Sequence, residues 1–90
     1  NYNLAGRKAL SKPIKQPDCQ QEGIVVVRIT VDKNGKVIKA EPGFKGSDNT
    51  HPCLLKPAKE AALKTTWNAD EKAPKNQVGT IIYKFSLSSD

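Results

Sequence analysis

The sequence predicts an α+β fold, a two-layer sandwich in which one main helix packs on one face of a three-stranded antiparallel sheet of order 2-1-3. Three observations predict it. Gly23 to Asp32 reads G-I-V-V-V-R-I-T-V-D and is the only segment apolar enough for the middle of a sheet. The turn residues Asp32-Lys33-Asn34-Gly35-Lys36 follow it directly. A helical repeat from about Pro52 is then succeeded by a second alternating segment, Val78 to Leu87, so the order is strand, strand, helix, strand.

Residues 1–22 come first, with Pro13, Pro17 and only Leu4, Ala9, Leu10 and Ile14 as apolar anchors. They read as an extended arm outside the main domain, 23–90, because the prolines keep the arm from serving as a central strand. In the central strand Val25, Val27, Ile29 and Val31 share one face and must look inward, while Ile24, Val26, Arg28 and Thr30 share the other. The Asp-Lys-Asn-Gly-Lys turn makes the next strand antiparallel. That strand runs from about Lys36 to Glu41, and Pro42 with Gly43 ends it.

Phe44 to Thr50 is a polar loop with one aromatic, and its lone Gly46 without a following G-K-S/T cannot cradle a phosphate. Thr50 or His51 can cap the helix, in which Leu54, Leu55, Ala58, Ala61, Ala62 and Leu63 recur at helical spacing. Pro57 either restarts the helix or kinks it. Small alanines allow close approach to the sheet. Trp67 is expected to close the open end of the core, and Asn68 to Gln77 to form a surface loop. In the last strand Ile81, Tyr83, Phe85 and Leu87 form one face, with Thr80, Ile82, Lys84 and Ser86 on the other.

At 90 residues with 37% hydrophobic and 27% charged content, the chain is one small globular domain. It buries roughly 60–65% of its unfolded surface, so any covalent staple matters. No apolar run approaches the ~20 residues a spanning helix needs. The lack of an initiating Met and of a leader gives the expectation of an excised fragment.

The formal charge of +6 comes from 15 basic against 9 acidic residues. The lysines are dispersed and interleave with no aromatic motif, which argues against nucleic-acid binding. The carboxylates are scattered, and no nucleophile elbow or metal spacing is present. His51 fits a helix start better than a general base, so no catalytic residue, metal or cofactor is expected and the chain is read as a binding module, not an enzyme. The two cysteines, Cys19 and Cys53, form no C-x-x-C pair. They are either bridged or buried free.

The blocks G-x-V-x-V-x-I-x-V-D-x-N-G-K-V at Gly23–Val37, C-L-L at Cys53–Leu55, A-K-E-A-A-L-K-T-x-W at Ala58–Trp67 and G-T-I-x-Y-x-F at Gly79–Phe85 resemble the C-terminal domain of the TonB family of energy transducers. The likeness covers nearly the whole chain, and L-A-G-R at Leu4–Arg7 resembles the lead-in of a cysteine-containing branch. Gln16-Pro17 stands where many members carry a Gln-Pro or Tyr-Pro motif, but only Asp18 to Glu22 separate it from the central strand, too few for the short helix found there.

The resemblance implies a periplasmic domain, anchored to the inner membrane in the full-length protein. Through the segment missing upstream it would couple to a proton-driven motor complex, and it would reach outer-membrane TonB-dependent transporters. The transporter's TonB box would add as a strand to the edge formed by Val78, Gly79, Thr80, Ile81, Ile82, Tyr83, Lys84, Phe85 and Ser86. Gln16 and Pro17 would be secondary contacts. An oxidising periplasm would favour a Cys19–Cys53 bridge. Two alternatives stand beside this reading: a structural or cell-wall-proximal interaction domain, and a homodimer formed through a free edge strand.

Overall fold

The computed structural model describes residues 1–87, so the last three positions of the predicted domain, 88–90, lie outside the described residues. Six strands and one helix follow in the order β1 (Tyr2–Asn3), β2 (Ala9–Ser11), β3 (Gly23–Val31), β4 (Val37–Pro42), α1 (Pro52–Lys64), β5 (Thr66–Trp67) and β6 (Gln77–Phe85). The helix packs on antiparallel sheets, which is the α+β class. The expectation of three strands needs correction. The main sheet has four, in the order β1-β6-β3-β4, and β2 pairs with β5 in a second, two-stranded sheet.

Within the larger sheet the predicted order survives, since β4 and β6 flank β3. The additions come from the arm. A strand edge carries backbone donors and acceptors that need partners, and the proline-free residues before Pro13 supply them. Two- and three-residue strands are too short to leave a periodic signal, which is why the sequence hid them.

β3 owes its central place to its inward face, where Val25, Val27, Ile29 and Val31 have no solvent exposure at all. Ile81, Tyr83 and Phe85 of β6 and Leu54, Ala58, Ala61 and Ala62 of α1 complete the layer between sheet and helix. Trp67 closes one end. The hairpin after β3 is fixed by the Asp32 carboxylate, which accepts from the N–H groups of Asn34 and Lys36, both at 2.9 Å.

His51 caps α1, its Nδ1 accepting from the N–H of Cys53 at 3.1 Å. The helix continues through Pro57 without interruption, although the missing N–H leaves the Cys53 carbonyl without its helical partner. Leu63 is 42% exposed, against the apolar face read from the sequence. It comes nine residues after Leu54, and at about 100° per residue it points roughly half a turn away from that buried side chain. Leu87, also expected on an inward face, is exposed because it lies past the end of β6.

The arm is stitched down at both ends. Arg7 donates from Nη2 and Nε to the Asn68 carbonyl at 2.7 and 3.1 Å, and Asn68 in turn exchanges hydrogen bonds with the Lys8 main chain. Farther along, Cys19 is disulfide-bonded to Cys53 in the first turn of α1. Lys15 makes an ion pair with Glu60, whose carboxyl is held below its usual range chiefly by that hydrogen bond.

Candidate functional site

β6 presents the backbone groups from which a strand-addition site would be built. Its register with β3 is regular from Gly23–Phe85 to Val31–Gln77. The N–H of Ile82 donates to the Asn1 carbonyl at 2.7 Å, and the Asn1 nitrogen donates to the Ile82 carbonyl at 3.1 Å. The Ile82 main chain therefore points away from β3. Antiparallel alternation directs the N–H and C=O of Thr80 and Lys84 the same way.

Residues of this same chain occupy part of that side of β6. β1 lies antiparallel along it, with Tyr2 opposite Ile81 and Asn3 opposite Thr80. Lys84 lies one hydrogen-bonding step beyond Asn1. A depression of about 400 Å³ lies there, lined by Lys84 and Phe85 together with Ile14 and Gln16 of the arm. Lys84 is exposed, so a strand laid there meets a positive side chain.

Of the predicted edge residues, Val78 to Phe85 lie within β6 and Ser86 directly follows it. Gln16 lines the same depression as Lys84. Pro17 is not: it lines a separate hollow of about 250 Å³ beside Cys53 and Pro57. Sequence reasoning named Leu4 and Ile14 only as apolar anchors of the arm and gave Asn1 to Asn3 no role. Only the Tyr2-x-Leu4 alternation hinted at them, and two residues cannot establish a period.

The inward side of the site is aromatic. The Tyr2 ring stands edge-on to Trp67 at 6.4 Å and to Tyr83 at 6.3 Å between centroids, and Phe85 stacks on Tyr83. The Tyr83 hydroxyl is buried without a well-formed hydrogen bond, although the Thr65 and Tyr2 hydroxyls lie near enough to influence its titration. Burial is the main reason its pKa is pushed up to about 12. Tyr2 is raised as well, again by burial.

A tyrosine whose folded pKa is raised adds stability below the unfolded value near 10 and loses it as pH rises through the folded value. The fold should therefore weaken between about pH 10 and pH 12 by on the order of 2 kcal/mol on account of Tyr83. Tyr83→Phe should flatten that part of the stability curve in urea titrations at stepped pH. An unchanged slope would mean that Tyr83 does not control it.

Among the described residues, no group of three or more His, Cys, Asp or Glu is placed to hold a metal ion. No helix among the described residues is long and apolar enough to cross a membrane. In comparisons with protein-family models, with curated proteins and with solved structures, nothing matches the chain.

Proposed function

We propose that the chain is the periplasmic, partner-binding domain of an energy transducer. In this reading it captures the short N-terminal box of an outer-membrane TonB-dependent transporter by strand addition to β6. One observation carries the binding mode: the Lys84 backbone faces outward along β6 beside a depression that Ile14 and Gln16 also line. The ordered blocks Gly23–Val37, Ala58–Trp67 and Gly79–Phe85 support the family reading.

Anchorage in the inner membrane and coupling to a proton-driven motor belong to the same proposal and would reside upstream of Asn1. A peptide bonded along a strand and pulled along its length loads several hydrogen bonds together. Modest affinity is then compatible with force transmission.

The test is an NMR titration with a synthetic transporter N-terminal peptide. The expected result is a set of amide shifts at Lys84 to Ser86 and in β1. Lys84→Pro, which removes an outward donor while sparing the ladder to β3, should weaken binding at least tenfold. Shifts confined to other surfaces, or full affinity in the proline variant, would refute strand addition here.

A further inference from the structure

The occupied half of the edge shows what kind of peptide fits it. We infer that residues 1–4 are a built-in pseudo-ligand of β6, and that the exogenous peptide this edge takes runs antiparallel to β6 with an aromatic residue followed two positions later by an aliphatic one. The inference rests on the reading of β6 as a strand-addition edge.

The segment is seated in sequence-specific fashion. Tyr2 turns its ring inward between Trp67 and Tyr83. Asn3, on the opposite face, is exposed, and Leu4 is only 5% exposed, within the core cluster. An aromatic and an aliphatic side chain two positions apart are thus taken up on one face, as strand alternation requires.

Gly79 is the matching feature on β6. A Cβ added there would overlap the Asn3 carbonyl oxygen and lie 2.8 Å from Leu4 Cδ1. Its φ lies outside the left-handed region, so space for the incoming segment, not backbone conformation, is what the glycine provides.

Antiparallel alternation gives the segment hydrogen-bonded pairs at Asn1–Ile82 and Asn3–Thr80. The Arg7 contacts keep it close, so it competes at an effective concentration in the millimolar range. Partner affinity is therefore reduced by the fraction of molecules whose edge is covered.

A synthetic peptide carrying residues 1–7 tests this, titrated against the intact chain and against Asn3→Pro, which removes the donor to Thr80 but keeps Tyr2 and Leu4. The peptide should bind Asn3→Pro at least tenfold more tightly than the unmodified chain, with amide shifts at Thr80 and Ile82. Replacing its Tyr and Leu with Ser should cost at least tenfold, and Gly79→Ala in the Asn3→Pro background should abolish the shifts. Equal affinity for both chains, or equal binding of the serine peptide, overturns the inference. Should Asn3→Pro fail to fold, Arg7→Ala supplies the same comparison by loosening the tether. Binding of this peptide without binding of a transporter peptide would uphold the pseudo-ligand and overturn the transporter reading alone.

Discussion

Replacing Cys19 and Cys53 with serine is expected to lower the free energy of unfolding by about 3 kcal/mol and the thermal midpoint by roughly 15 °C. The bridge spans a sequence separation of 34 and joins the arm to the first turn of α1. Cross-linking over that distance removes conformations from the unfolded chain, and so small a core has little stability in reserve. Both cysteines also pack against the core cluster.

The loss should be uneven across the arm. Arg7, Lys8 and Leu4 fasten its beginning independently of the bridge, so protection of the Ile82 amide from hydrogen exchange should persist when scaled to global stability. Near the bridge the Lys15–Glu60 pair is an exposed ion pair that contributes little, and the Asn49 amide donates to Gln21 Oε1 and the Glu22 carbonyl at 3.1 and 2.9 Å. Urea denaturation of the serine variant beside the oxidised chain measures the effect. A difference below about 1 kcal/mol would show that the arm is held by its other contacts.

Gly35→Ala is expected to cost roughly 3 kcal/mol through two separable causes. Gly35 has φ +90°, a left-handed conformation that opposes a Cβ. The added atom would also overlap the Trp67 carbonyl oxygen, with the carbonyl carbon 2.7 Å away. The Gly35 carbonyl accepts from the N–H of Trp67 at 2.9 Å, so hairpin tip and β5 are bonded where the new atom would intrude. Displacing β5 disturbs its pairing with β2 and uncovers Trp67, so tryptophan emission should shift to the red.

Gly6→Ala is the control. Gly6 also has a positive φ, +72°, but an added Cβ meets nothing within 4 Å, so its cost should stay near 1 kcal/mol. Similar losses at the two glycines in chemical denaturation would mean that backbone strain dominates and that the approach of Trp67 is immaterial.

The central strand, the hairpin, the helix and the last strand were legible because each carries its signal locally. Val25, Val27, Ile29 and Val31 alternate over enough residues to declare a strand and its inward face. Asp32, Asn34 and Gly35 declare a turn through their own side-chain chemistry. Leu54, Ala58, Ala61 and Ala62 mark one helical face, although the same apolar count misled at Leu63, where only the angle around the axis separates core from solvent. The half-polar pattern of the last strand reads as an open edge, whereas β1 pairs along its outer side and the outer strands of the sheet are β1 and β4.

The placement of the arm was not legible. Tyr2 and Leu4 gain their meaning from Trp67, Tyr83 and Gly79, far away in the chain, and a two-residue strand exists only because β6 has unsatisfied backbone groups for it to meet. The sequence alone determined the α+β class, the central place of β3 and the glycine its hairpin requires. Tertiary structure decided that β1 covers the Thr80–Ile82 part of β6, because that depends on which distant backbone reaches the strand and where a side chain would block its path.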